Sequence, residues 1–210
     1  MKRLIPAILI ILMTAMSFPA YANTSTTEDL RGVWVATVLN LDYPSVQTSN
    51  EAALKAEAIK ILDNVQSMGL NAVFLQVRPS ADAFYKSTYF PWSKYLTGEQ
   101  GKAPENGFDP LKFWVDEAHK RGIELHAWIN PYRITKNYTG NVKDAWNQLV
   151  DTHIAKKMPQ LVVEHTDGNL YFDPGNPLVR TVVAAGVMEI VQKYDVDGIH
   201  FDDYFYPSTT

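Results

Sequence analysis

The sequence predicts an α/β fold of about four βα units, the N-terminal portion of a TIM (β/α)8 barrel that is truncated. Three observations predict it. Short apolar runs alternate with helical patterns along almost the whole chain. The main helix-to-strand joints read alike, as Met68-Gly69-Leu70, Arg121-Gly122-Ile123 and Tyr194-Asp195-Val196, which suits parallel strands joined by right-handed crossovers. Side-chain parity then separates an aliphatic strand face from one that becomes polar and aromatic toward the carboxyl end. A doubly wound sheet carries helices on both faces and needs aliphatic residues on both. A barrel interior opening into a polar mouth accounts for the asymmetry.

The elements follow in order. Residues 32–38 read as the first strand. Residues 51–68 form a helix with Leu54, Ala58, Ile61, Leu62, Val65 and Met68 on one face and Gly69 as its stop. The second strand covers 71–77. A segment rich in Tyr, Ser, Pro and Gly leads to Asp109, which caps a helix with Pro110 at its first position and Leu111, Trp114, Val115 and Ala118 as its face. Gly122 ends that helix, and 123–130 is the third strand. Residues 145–158 read as one helix. Residues 161–163 and 169–172 flank a turn at Thr166-Asp167-Gly168 and predict a small hairpin. Asn176-Pro177 opens a helix to about Tyr194, and 198–202 is the fourth strand.

Parity assigns the faces. Val73, Leu75 and Val77 oppose Ala72, Phe74, Gln76 and Arg78. Ile123, Leu125, Ala127 and Ile129 oppose Glu124, His126, Trp128 and Asn130. Ile199 and Phe201 oppose His200 and Asp202.

The 210 residues are 46% hydrophobic with net charge -4, which fits one sizeable core and gives no basic stripe for nucleic acid. Residues 1–22 read as a signal peptide: Lys2 and Arg3, an apolar run over 4–16, and the small-x-small site Ala20-Tyr21-Ala22. The apolar run is short of the ~20 residues of a membrane span, so no stable membrane anchor is expected after cleavage. Residues 23–30 form a flexible lead-in, and 31–210 the partial barrel. The expected location is exported, periplasmic or extracellular. No Cys is present, which excludes disulfides and thiolate metal sites.

The strand ends collect the chemistry. Arg78, Asn130, Tyr132, Arg133, Asp202, Asp203 and Tyr204 all lie at carboxyl ends, where barrel enzymes place catalytic groups. Two adjacent acids closing a strand beside aromatics suit sugar hydrolysis, which needs one carboxylate as nucleophile or base and one protonated carboxyl as acid. Asp202 and Asp203 are therefore the catalytic candidates; by parity Asp202 faces the mouth and Asp203 begins the loop. A cap or loop role for Asp202 is the competing reading. Arg78 is a substrate-binding candidate or an ion-pair partner of Asp202. Trp128 faces the mouth and suits a flat sugar face. His126 and His200 lie deeper and read first as satisfied core histidines, with His200 also carried as a substrate-binding candidate. Asp82 either binds substrate or starts a turn. No H-E-x-x-H pattern, phosphate-binding glycine loop or G-x-S-x-G elbow occurs, and nothing calls for a cofactor or a metal.

Five ordered blocks, RGVWVATV at 31–38, QVRP at 76–79, FDPL at 108–111, HAWINPYR at 126–133 and DGIHFDDY at 197–204, resemble the glycosyl hydrolase-like 10 family, formerly domain of unknown function 187. The resemblance implies a (β/α)8-barrel glycoside hydrolase acting on peptidoglycan glycan strands freed of peptide stems. It also implies a catalytic Asp at the end of the fourth strand, Asp202 or Asp203, and sugar subsites lined by Arg78, Asn130, Tyr132 and Arg133. The family barrel has eight strands and about four are present, so the second carboxylate is expected from a later strand. Two other readings stand beside this one: a non-catalytic carbohydrate-binding protein on the same scaffold, and a metal-dependent sugar deacetylase, for which no ligand signature speaks. A half barrel exposes a sheet edge and apolar side chains, so residues 1–210 alone are expected to self-associate and to release no product.

Overall fold

A computed structural model describes residues 29–136 and 140–202. The signal segment 1–22, most of the lead-in, and Asp203 and Tyr204 lie outside the described residues. In chain order the elements are β1 (Gly32–Val35), α1 (Glu51–Ser67), β2 (Ala72–Arg78), α2 (Lys94–Thr97), α3 (Pro110–His119), β3 (Glu124–Ile129), α4 (Val142–Asn147), α5 (Ile154–Lys157), β4 (Val162–Glu164), β5 (Leu170–Phe172), α6 (Pro177–Lys193) and β6 (Gly198–Phe201).

β1, β2, β3 and β6 form one parallel sheet in that order. Sequential order with no reversal is the arrangement of a singly wound barrel wall, not of a doubly wound sheet. Each helix starts where its sequence can satisfy orphan N–H groups. The Asn50 side chain accepts from Ala53 N, Asp109 from Lys112 N, and Asn176 from Leu178 N, and Pro stands in the first turn of α3 and α6. Gly69 and Gly122, at φ +70° and +68°, make the left-handed stops that a Cβ would strain.

One sheet face is aliphatic. Val73, Leu75, Val77, Leu125, Ala127 and Ile129 are buried in the same core as Leu54, Leu62, Leu111 and Trp114 of α1 and α3. The other face carries rings. Trp34 stacks on Phe74 at 4.9 Å, Phe74 meets His126 at 4.8 Å and His200 at 5.0 Å, and Trp34 Nε1 donates to His200 Nε2 at 3.1 Å. Glycine makes room for this layer. A Cβ on Gly32 would stand 2.5 Å from Phe74 Cε2, and one on Gly198 would stand 2.3 Å from His126 Nδ1. Trp34 is 53% exposed, so this face is open among the described residues.

Three sequence expectations need correction. The first strand stops at Val35, not 38, because side chains take the next N–H groups: Ala36 N donates to Asp42 Oδ2, and Thr37 N and Val38 N to Gln76 Oε1. The predicted helix 145–158 is two helices, α4 and α5, separated where His153 caps the second. Met68, expected on the inner face of α1, is 62% exposed. The hairpin is present as β4 and β5, paired antiparallel. β5 also docks the chain that leaves β3: Ile134 N donates to Leu170 O and Phe172 N to Tyr132 O. That seats residues 132–135 over the sheet's carboxyl edge.

His153 is fully buried and neutral. Its Nε2–H donates to Ala81 O at 2.9 Å, and its Nδ1 accepts Ala155 N at 3.0 Å, a contact that a second proton would abolish. Burial lowers its pKa from 6.5 to about 4. A depressed histidine binds its proton more readily in the unfolded chain. The stability it contributes is therefore full above pH 6.5 and is lost as the pH falls toward 4.

Two predictions follow from packing and protonation. Gly32→Ala is expected to lower stability by about 1–3 kcal/mol, because Phe74 must leave its stack with Trp34; thermal unfolding checks this. His153→Asn keeps a cap acceptor but removes the titration. It is expected to be less stable than the parent at pH 7, with the difference shrinking by up to about 1.4 kcal/mol per pH unit below 6.5. Denaturant titrations of both proteins at several pH values measure the slope, and an unchanged difference would refute it.

Candidate active site

The site sits at the carboxyl edge of the four-stranded sheet, where β6 ends and the backbone frees Asp202. Asp202 Oδ2 accepts two hydrogen bonds from β3's end: Asn130 Nδ2 at 2.6 Å and Trp128 Nε1 at 3.1 Å. Asp202 Oδ1, shielded from solvent, meets no donor among the described residues. The strand register explains the meeting. Trp128 lies beside His200, so the next positions on the same face, Asn130 and Asp202, are neighbours across β3 and β6.

Asn130 is itself held from two sides. Its Oδ1 accepts Gln76 Nε2 at 2.5 Å and Arg133 Nη2 at 2.8 Å. Gln76 Oε1 accepts the backbone N–H groups of Thr37 and Val38 at 3.0 and 2.9 Å, and Thr37 Oγ1 donates to Gln76 O at 2.7 Å. A continuous hydrogen-bonded chain thus crosses the mouth from the end of β1 to the end of β6. Gln76 is 1% and Asn130 3% exposed, so water does not compete for these bonds.

Arg133 is mostly spent inside this scaffold. Besides Asn130, its Nε and Nη2 donate to Pro79 O at 2.8 and 2.6 Å. Burial pulls its pKa down, and the nearby Asp202 carboxylate pushes it back. Tyr132 is half-buried, with its carbonyl holding Phe172 N. His200 lies one layer below Asp202, beside Trp128 at 6.1 Å, and accepts from Trp34.

Arg78 lies elsewhere, against the simple parity reading. Gln76 pairs with Trp128 but Arg78 with Ile129, so Val77 is an extra residue, a bulge. The bulge turns Arg78 to the aliphatic side. Its guanidinium stacks on Phe90 at 3.6 Å and lies against Gly186 of α6, where a Cβ would come within 2.4 Å of Nη1. It is fully buried, and the acidic groups that act on its charge are Tyr85, Asp82 and Glu189.

Asp82 is buried in the loop beyond β2, beside a small cavity lined by Ser80, Lys94, Gln100, Thr135 and Gln148 among others. Burial raises its pKa to about 6, although Ser93, Gln100, Lys94 and Arg133 favour its charged form. The structure thus brings Trp128, Asn130, Arg133 and His200 around Asp202 and leaves Arg78 and Asp82 apart from it. Gln76 was placed on the mouth face by parity but not recognised as part of the site. Its signal was a long amide on that face, one strand from Asn130.

Chemically, the arrangement fixes one carboxylate oxygen with two donors, while the other meets no donor among the described residues. Among the described residues no group of three or more His, Asp or Glu side chains could hold a metal.

The chain is 50% identical over 200 residues to glycosyl hydrolase YngK of Bacillus subtilis (strain 168), covering 95% of this chain and 38% of that protein. It is 38% identical over 206 residues to glycosyl hydrolase DigH of Escherichia coli (strain K12), covering 91% of this chain and 45% of that protein. The chain therefore spans less than half the length of these relatives. Its fold is similar to that of a noncanonic maltogenic α-amylase, AmyB, from Thermotoga neapolitana, with TM-score 0.51, 18% identity, and coverage of 84% of this chain and 40% of that one. The α/β chain with its parallel sheet has the fold of part of a TIM barrel. Residues 29–210 match the Glycosyl hydrolase-like 10 family, and the chain belongs to it.

Proposed function

We propose that the protein bearing this chain is an exported glycoside hydrolase that cleaves glycosidic bonds in polysaccharide, with Asp202 as nucleophile or general base. Peptide-free peptidoglycan glycan strands are the proposed substrate. The observation that carries the reading is the division of labour within Asp202. Oδ2 is held by Asn130 and Trp128, and Oδ1, at the carboxyl end of the barrel's fourth strand, has no partner among the described residues. Two donors on one oxygen fix the direction of the carboxylate, the pre-organisation that a nucleophile or base needs. Family membership and two relatives named glycosyl hydrolase support the reaction class. The substrate rests on the family resemblance, and export on the basic, apolar and small-x-small pattern of residues 1–22.

Trp128 offers an indole beside the reacting carboxylate, where a pyranose face could stack while its N–H stays bonded to Asp202. The acid that protonates the leaving oxygen is assigned to a later strand of the complete barrel, since catalytic groups of this fold come from several strand ends.

The test uses the complete reading frame expressed without residues 1–22, with product release from peptide-free glycan strands as the assay. Asp202→Asn is expected to lower turnover by on the order of 10³-fold or more in a folded protein, whereas Asp203→Asn retains most of it. Glycan binding without cleavage by the parent, unaffected by either substitution, would replace the hydrolase reading with a non-catalytic carbohydrate-binding one.

A further inference from the structure

We infer that Gln76 is a positioning residue that, together with Arg133, fixes the amide orientation of Asn130 and thereby keeps Asp202 aimed. The inference rests on the assignment of Asp202 as the reacting carboxylate.

The argument is one of donor and acceptor polarity. A backbone N–H can only donate, and so can a guanidinium. Thr37 N and Val38 N both point at one end of the Gln76 amide, so that end must be oxygen. Its other end must then be NH2, and this faces Asn130 at 2.5 Å. Arg133 Nη2, also an obligate donor, faces the same Asn130 atom at 2.8 Å. That atom must be oxygen, so the Asn130 NH2 faces Asp202 at 2.6 Å. Trp128 Nε1, a third obligate donor, meets the same Asp202 oxygen. Every orientation in the chain is forced, and Asp202 Oδ2 ends it as an acceptor.

Gln76 connects strands that do not touch. β1 is separated from β3 by β2, and Gln76, on β2, carries the fixed direction of the β1 exit backbone to Asn130. The Val77 bulge gives this its local setting: Gln76 faces the mouth and the residue two further on faces the helices. Among the described residues Gln76 hydrogen-bonds to Thr37, Val38 and Asn130, not to Asp202. Its role is exerted through Asn130, and no cofactor or proton transfer of its own is involved.

Gln76→Glu tests this in the complete, signal-free protein. A carboxylate of the same length still accepts from Thr37 and Val38 but presents an oxygen to Asn130. Asn130 Oδ1 then faces a carboxylate oxygen in place of a donor, against the hold of Arg133 Nη2, and the amide is displaced from its bond to Asp202. The expected result is a kcat loss of about tenfold or more with KM little changed. A loss confined to kcat is the mark of a misaimed reacting group, because binding of the substrate's remaining contacts is untouched. Should Gln76→Glu not fold, Gln76→Met, which keeps the length and removes both polar contacts, is held to the same two criteria. Asp202→Asn is measured alongside. If it is inactive while a folded Gln76 variant keeps the parent's kcat, the positioning role is overturned and the Asp202 assignment stands. A kcat loss matched by a comparable rise in KM also overturns it, since general loosening of the mouth would produce that. Full activity of Asp202→Asn overturns the Asp202 assignment and this inference with it.

Discussion

The hydrogen bond from Asn130 to Asp202 is the point on which the mouth of this half barrel depends. A carboxylate at a strand end is ordinarily free to rotate and to bind water. Here the neighbouring strand supplies two donors to the same oxygen, Asn130 Nδ2 and Trp128 Nε1, from consecutive same-face positions. Only parallel pairing of β3 with β6 in the observed register brings those positions together. The buried surroundings of Asn130 strengthen the bond, and they also make an unpaired orientation costly, so the amide is fixed rather than merely biased.

The sheet achieves this by spending polar groups in pairs. Thr37 and Val38 leave β1's ladder and hand their N–H groups to Gln76, which shortens β1 but satisfies a buried side chain. Arg133, which could have reached into solvent, is bound to Pro79 O and Asn130 Oδ1. The hairpin β4–β5 makes that geometry available by seating residues 132–135 against Leu170 and Phe172. Below the mouth the logic changes from hydrogen bonds to shape. Trp34, Phe74, His126 and His200 stack, with Gly32 and Gly198 leaving the space they fill.

Much of this was legible in the sequence, for reasons that can be named. Period-two alternation gave the faces of β3 and β6, and hence Asp202, Asn130 and Trp128 on one side. Asn50, Asp109 and Asn176 announced helix starts because capping is local chemistry. What escaped depended on partners far along the chain. The end of β1 is set by Asp42 and by Gln76, the latter 39 residues from Thr37. The break between α4 and α5 is set by His153, which is tied to Ala81, 72 residues away. The Val77 bulge carries no glycine or proline to mark it, so parity carried Arg78 to the wrong face.

Arg78 shows why that error matters for reading sites of this kind. An arginine in a strand-end block of a sugar-processing barrel invites assignment to a substrate. Its observed surroundings, the Phe90 ring and the bare backbone of Gly186, are instead those of a cation packed between a sheet and its covering helix. Burial works against its charge, while Tyr85, Asp82 and Glu189 favour it. The glycine in α6 is thus explained by the guanidinium beside it, since any side chain at 186 would displace Arg78 or push the helix off the sheet. One extra residue in β2 therefore decides two things at once: that a neutral amide, Gln76, holds the mouth, and that a cation two residues later is buried beneath the helix layer.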